Sequence, residues 1–418
     1  MQPDRLNPQR LADRLEALLP SALGALRQMV AINSFTLNAE GVNRLGDLTA
    51  NLFAPLGFSA QRPQAIACVT EPRPPLGRHL ILTRPGRSGR RIGLVGHLDT
   101  VYTADEEQAN DFAWRPVGDR IYGPGTVDIK GGNVLIWMML SALRDAAPAL
   151  FDDITWIVML NAAEEGLDSD FGHLQRRLLG TDAIANLVFE GGKLRDGVHQ
   201  VITHRKGSAG LTAISHGRAA HAGVDHPRGA NAIVQLCDFV QRASALTDYQ
   251  RELTCNVGIV RGGVTVNRVP DRAEAMLELR AFDPAVLESA VQAVLAMDGL
   301  STVASATDGY PCQVEVICRK RLPAWPANPA TQRLLEIWQS AGQRIGLAVA
   351  GRGRGGLSDG NFTYDLVPTI DGLGPIGGNP HCATRSPDGQ ADQEYVLPGS
   401  FVPRALLNLL AIEQLVSG

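Results

Sequence analysis

Residues 91–100 read R-I-G-L-V-G-H-L-D-T. A short apolar run, Ile92 to Val95, is followed by glycine and then by an imidazole and a carboxylate two positions apart. A continuous apolar run of this length reads as a buried strand. In open α/β sheets, ligands gather beyond the carboxyl ends of the strands. His97 and Asp99 therefore stand where such a sheet does its chemistry. The arrangement recurs. The run I-T-W-I-V-M-L (154–160) leads into N-A-A-E-E-G with Glu164 and Glu165, and N-L-V-F (186–189) leads into Glu190. Three strand ends would deliver their acids to one rim. Asp128 lies in G-P-G-T-V-D-I-K-G-G, whose glycines permit close backbone approach and unusual dihedrals. His381, in G-G-N-P-H-C, adds a second imidazole.

Two imidazoles with several carboxylates suit hard-to-borderline divalent metals, zinc first among them, with cobalt and manganese compatible. The acids are too many for one closed structural site. They fit two metals sharing a carboxylate, with another carboxylate free to activate water. Asp99, two residues after His97, is placed to accept the second ring N–H of that imidazole. Successive side chains point different ways, so of Glu164 and Glu165 one can ligate while the other acts as general base. Each residue alone has a plainer explanation: an ordinary histidine, a solvated Glu-Glu pair, a turn aspartate, an N-cap-like acid, a surface histidine. Their joint order carries the metal reading.

Outward from this core, Leu11 to Ile32 shows helical spacing (Leu15, Leu18, Leu19, Leu23, Leu26, Met29, Val30), as does Asn43 to Leu56. Strands are expected at His79–Thr83, Arg91–Gly96, Ile154–Leu160 and Asn186–Phe189, and helices at Asn133–Leu143 and Phe171–Leu179. This alternation predicts an α/β layer with a largely parallel sheet. Near Lys206 the pattern changes. Strand, helix, strand, strand, helix, strand follow at Ser208–Ser215, Asn231–Ala245, Thr254–Val260, Ala273–Ala281, Pro284–Ala296 and Gln313–Cys318, a ferredoxin-like order. The proline-rich stretch R-K-R-L-P-A-W-P-A-N-P closes it, and a helix at Ala330–Ala341 resumes the first pattern. We expect one domain built from residues 1–205 and 320–418, with a smaller domain, 206–319, inserted in it.

The motifs G-H-L-D-T-V-Y, Y-G-P-G-T-V-D-I-K-G-G-N, the Glu-Glu pair, F-E, A-A-H-A-G and G-G-L-S-D occur in this order. In that series the chain resembles the co-catalytic di-zinc exopeptidases and deacylases, and most of all their bacterial glutamate carboxypeptidase branch. Acetylornithine deacetylase, succinyl-diaminopimelate desuccinylase and aminoacylase are further members. The resemblance runs from about residue 25 to the C-terminus. It implies a zinc-exopeptidase-like α/β catalytic domain with an inserted ferredoxin-like α+β lid that carries a homodimer contact. It implies two zinc ions per subunit, with Asp128 bridging, His97 and Glu190 completing one site, and Glu165 and His381 the other. Glu164 would be the base and Asp99 the residue orienting His97. His221 would reach the partner subunit's active site and polarise the scissile carbonyl, and Asn267 would hold substrate. Arg280 matches a family arginine for a substrate carboxylate, whose geometry the guanidinium fork fits. A second arginine is expected before G-G-L-S-D. Gly353 stands at the matching place, flanked by Arg352 and Arg354. The segment after His381 is longer than the family's short His-to-Glu spacing, so the local loop must differ.

The implied reaction is hydrolysis of an amide next to a free carboxylate, in a peptide or an N-acyl amino acid. An N-acyl amino acid deacylase or dipeptidase is the alternative within the same chemistry. A metal-binding scaffold without activity is a rival from another class, against which Glu164 argues, since a relic need not keep the base. A Rossmann oxidoreductase is a third, against which the lack of a G-x-G-x-x-G after a strand argues. A net charge of −4 gives no sign of a nucleic-acid or acidic-membrane partner. The six cysteines (Cys68, Cys237, Cys255, Cys312, Cys318, Cys382) are scattered without a C-x-x-C, which reads as reduced thiols. The N-terminus shows no apolar signal region, so the cytoplasm is the expected location.

Overall fold

The computed structural model describes residues 6–67, 74–166, 170–386, 388 and 391–417. The chain divides into two compact units. One comprises Met1–Thr203, Ala327–Arg352 and Ser358–Gly418, the other His204–Pro326 with Gly353–Leu357.

The first unit opens with helix α1 (Pro8–Val30). Asn7 caps it by accepting the Arg10 N–H, and Pro8 occupies the first turn, where its missing donor costs nothing. Leu11, Leu15, Ala22, Leu26 and Met29 form its buried face at helical spacing. The unit's main sheet contains β1 (Ser59–Gln61), β2 (Leu80–Arg84), β3 (Arg91–His97), β4 (Thr155–Asn161) and β5 (Ala185–Val188). Their order is β1-β2-β4-β3-β5, followed by the short strand Thr369–Ile370. β4, β3, β5 and Thr369–Ile370 run parallel, whereas β1–β2 and β2–β4 pair antiparallel. β3 is covered on both faces. Ile92 and Leu94 pack into one apolar core, and Val95 into another with Ile81, Met159 and Phe171. Two-sided burial explains why its sequence is continuously apolar instead of alternating.

The register positions the site. His97 pairs with Asn161 and Val95 with Val188, so β3, β4 and β5 end level at one edge. Helix α2 (Lys130–Ala146) follows Asp128 closely. A Cβ on Gly131 would lie 2.3 Å from the Thr126 carbonyl oxygen, and one on Gly132 would lie 2.2 Å from that of Phe189. Only glycine allows this approach, which ties the Asp128 loop to the end of β5 that carries Glu190.

The second unit contains β6 (Gly207–His216), α3 (Ala232–Ser244), β7 (Thr254–Gly262), β8 (Arg272–Ala281), α4 (Pro284–Leu295) and β9 (Gln313–Leu322), the expected ferredoxin-like order. The sheet is antiparallel throughout in the order β7-β8-β6-β9. Asn231 and Asp283 cap the helices, each side chain accepting two backbone N–H bonds. Leu236 and Phe239 of α3 and Val291 and Val294 of α4 share one core with Leu211, Leu277 and Leu279. The β6–β9 ladder continues to Ser208 opposite Leu322, so this strand outlasts residue 319. β7 is an edge strand, and it and the loop after it leave Ile259, Val260, Val264 and Val266 exposed. Cys237, Cys255, Cys312, Cys318 and Cys382 are free thiols, while Cys68 lies outside the described residues. Among the described residues no helix is long and apolar enough to cross a membrane.

Candidate metal centre

The level ends of β3, β4 and β5 bring six sequence-predicted side chains of the first unit together with Asp99. Two groups of donor atoms form, each with ligand atoms within 4.8 Å of one another: His97, Asp128 and Glu190, and Asp128, Glu165 and His381. Asp128 belongs to both, through different oxygens. Its Oδ1 lies 3.2 Å from His97 Nε2, while its Oδ2 lies 3.5 Å from His381 Nε2. Glu190 Oε1 is 3.7 Å from His97 Nε2, and Glu165 Oε2 is 3.1 Å from His381 Nε2. Glu164 Oε2 stands 4.0 Å from His97 Nε2 and belongs to neither group.

Asp99 is buried beneath this array. The His97 Nδ1–H donates to the main-chain carbonyl of Asp99 at 2.9 Å, with the Asp99 carboxylate farther away at 3.4 Å. The expected carboxylate contact is secondary because that group is already engaged. Its Oδ1 accepts the Glu164 N–H (2.9 Å), and its Oδ2 accepts the Glu165 N–H (3.2 Å) and the Thr36 hydroxyl (2.7 Å). Asp99 thus fixes the His97 tautomer through its carbonyl, leaving Nε2 free to ligate. Through its carboxylate it holds the turn that presents both glutamates. Asn133 adds an N–H bond to the His97 carbonyl at 2.6 Å.

The electrostatics suit a cation. Burial raises the Glu164 carboxyl well above the usual range, and neighbouring Glu190, Asp359 and Glu165 add to the shift. Burial likewise raises Glu165, with the charge of Asp128 reinforcing it. Burial works against His97, yet Asp128, Asp99, Glu164 and Glu190 hold its imidazole well above its ordinary value. Hydrogen bonding to Asp128 and then Glu165 pushes His381 up to about 10. Burial opposes ionisation of Asp128, but His381 and His97 keep it well below the normal carboxylate range. Without a metal the imidazoles carry protons where a cation would stand. Glu165 Oε1 is buried with no hydrogen-bond partner. Oxygen and imidazole donors, convergent negative charge and an unpartnered carboxylate oxygen fit a pair of divalent metals.

Sequence reasoning did not assign two buried acids of this region. Glu394 accepts N–H bonds from Val127 (2.8 Å), Asp128 (3.0 Å) and Gly125 (3.2 Å) and the Tyr102 hydroxyl (2.7 Å). Burial and the charge of Asp128 push it up to about 7, against the pull of these bonds. Asp359 accepts from the Asn161 amide at 2.9 and 3.2 Å and is pushed up to about 8, chiefly by burial. G-G-L-S-D did contain Asp359, whereas the family's short His-to-Glu spacing, the one signal toward Glu394, is stretched here and left it unassigned.

The remaining predicted residues lie mainly in the second unit. His221 and Asn267 are neighbours: Ala222 N–H donates to the Asn267 carbonyl (2.9 Å), and His221 bridges to Arg268. His221 Nδ1 accepts the Gly223 and Val224 N–H groups at 3.1 and 3.2 Å. That leaves the ring proton on Nε2, on an exposed side chain. Arg280 donates to Glu278 (2.9 Å) and to the Gly355 carbonyl (3.1 Å). It is therefore anchored one residue from Arg354, whereas Arg352 belongs to the first unit.

Residues 203–297 match the family model of the peptidase dimerisation domain. The chain is 27% identical over 392 residues to carboxypeptidase G2 of Pseudomonas sp. (strain RS-16), covering 93% of this chain and 87% of that protein. It is 24% identical over 286 residues to acetylornithine deacetylase of Photorhabdus laumondii subsp. laumondii, covering 65% of this chain and 70% of that protein. A dinuclear metal-binding peptidase of the M20 family from Bacillus subtilis shares the fold, with a TM-score of 0.65 at 13% identity over 96% of this chain and 100% of that one. The chain resembles the M20 peptidases, carries a peptidase dimerisation domain, and is a metal-dependent peptidase or amidohydrolase.

Proposed function

We propose that the protein is a di-zinc exopeptidase that removes a C-terminal amino acid, as a glutamate carboxypeptidase does. His97 and Glu190 would hold one zinc, Glu165 and His381 the other, and Asp128 both. The observation that carries this reading is the division of Asp128, with one oxygen facing each group of donors, beside a glutamate that joins neither. Bound there, two zinc ions would acidify a shared water toward a pKa of about 7 and polarise the scissile carbonyl.

Glu164 takes the proton of the attacking water and returns it to the departing amine. Its raised affinity for protons suits both tasks. With Nδ1–H committed to the Asp99 carbonyl, His97 would present Nε2 to the metal. His221, with its proton on Nε2, donates to the developing oxyanion of a second copy's substrate. Asn267 stands beside it to hold the substrate. Arg280 and Arg354 receive the free carboxylate, with Arg354 favoured over Arg352 by the Arg280–Gly355 bond. A homodimer through the second unit is supported by the dimerisation-domain match and by the exposed apolar edge at β7.

The test is a substrate screen on protein stripped by chelator and reloaded with zinc or cobalt. Activity is lost on stripping and restored on reloading, with peptides and acyl compounds ending in glutamate or aspartate cleaved fastest. Preferential release of acetyl or succinyl groups would replace this reading with the deacylase one, which the likeness to acetylornithine deacetylase keeps in play.

A further inference from the structure

The seven residues around the proposed zinc pair do not account for how Asp128 is held. It sits at the end of a loop whose next peptide, Asp128–Ile129, is cis. No side chain of that loop fixes the direction of the two carboxylate oxygens. His97 and His381 meet the two oxygens from above, and the main chain that carries Asp128 is anchored by one carboxylate. Glu394 Oε1 takes the N–H groups of Val127 and Asp128, while Oε2 takes the Gly125 N–H and the Tyr102 hydroxyl. Four donors meet the four lone-pair sites of an ionised carboxylate, two on each oxygen. The residue is 0% exposed. No other side chain supplies this acceptor capacity to the loop among the described residues: Thr126 Oγ1 is itself buried without a partner.

We propose that Glu394 is the positioning residue of the metal centre, whose carboxylate fixes the main chain of residues 125–128 so that each oxygen of Asp128 faces its own group of ligands. The proposal rests on the dinuclear reading above. Glutamine at 394 keeps the shape but offers one acceptor oxygen and turns an amide NH2 toward groups that donate. At least two of the four bonds are lost, and the loop gains freedom to rotate Asp128. Glu394 belongs to neither ligand group and meets Asp128 only at its main-chain N–H, so its effect passes through the placement of that ligand.

The experiment titrates cobalt(II) into metal-free wild type and Glu394→Gln, following the visible absorption of the bound ion and the stoichiometry. We expect the wild type to bind two ions. The variant, with an unchanged circular dichroism spectrum, binds them about 10–100-fold more weakly, as loss of an outer-shell partner does, and shows an altered cobalt spectrum. If Glu394→Gln does not fold, Tyr102→Phe decides. It removes one of the four donors, and we expect it to weaken cobalt binding several-fold with the fold retained. A variant that binds two ions with wild-type affinity and spectrum overturns the role of Glu394 while leaving the metal centre standing. A wild type that binds no pair overturns both.

Discussion

Glu164→Gln leaves two metal ions bound per chain and lowers kcat by about 10²–10⁴-fold, the range that general acid–base catalysis supplies. Its carboxylate is 4.0 Å from His97 Nε2 and shared with neither ligand group, so removing its charge leaves both coordination sets intact. The backbone of residue 164 remains pinned by Asp99 at 2.9 Å, so the amide occupies the same place without accepting a proton. KM stays near the wild-type value, because binding of the ground state does not use this group. Metal analysis of the purified variant alongside steady-state kinetics checks the result. Activity within tenfold of wild type would remove Glu164 from the mechanism, and loss of one ion would make it a ligand.

Asp128→Ala loses both ions together. Each oxygen of Asp128 serves a different ligand group, so the substitution strips one donor from each and leaves each with only an imidazole and a carboxylate. The weakening exceeds the roughly 10–100-fold cost of losing an outer-shell partner, and turnover disappears with the metals. Glu190→Ala is the control, because it touches only the group built on His97. Cobalt titration separates the two variants. An Asp128→Ala protein that keeps one ion at wild-type affinity would show that the carboxylate does not serve both positions.

The part of the centre that was legible in the sequence is the part set by local pattern. His97, Glu165 and Glu190 could be read because each follows a buried apolar run, and parallel strands in register bring such ends to a common edge. Asp128 could be read because its glycines signal a close approach, which the clash of a Cβ on Gly132 with Phe189 bears out. The supports were not legible. Glu394 meets its loop across 266 to 269 residues and Tyr102 across 292, and Asn161 meets Asp359 across 198. A side chain's partner at such separation depends on the completed fold, which no window of sequence contains. The contact between Asp99 and His97 was half legible. Spacing brought the two together, but competition from Thr36, Glu164 and Glu165 decided which oxygen of Asp99 the imidazole meets. In the fold, the eight-residue strand Val198–Arg205 and the 17-residue helix Phe401–Ser417 went unread despite their length, as did the short pieces Arg115–Val117, Arg120–Tyr122 and Thr369–Ile370. Elements of two or three residues have no periodicity to detect.

The two imidazoles of the centre differ sharply in access to solvent. The His97 side chain is 1% exposed and that of His381 is 55% exposed, on a segment where Asn379 and His381 both adopt left-handed backbone. An ion held by His381 would have one ligand open to solvent, whereas all three ligand side chains of the His97 group are at most 13% exposed. The pair is therefore kinetically unequal. Dialysis against a chelator empties it in two phases, and a half-filled species accumulates between them. Refilling that species with a different metal yields a mixed pair whose outer member is the newcomer, so the ion content of a purified sample records its handling as well as its capacity.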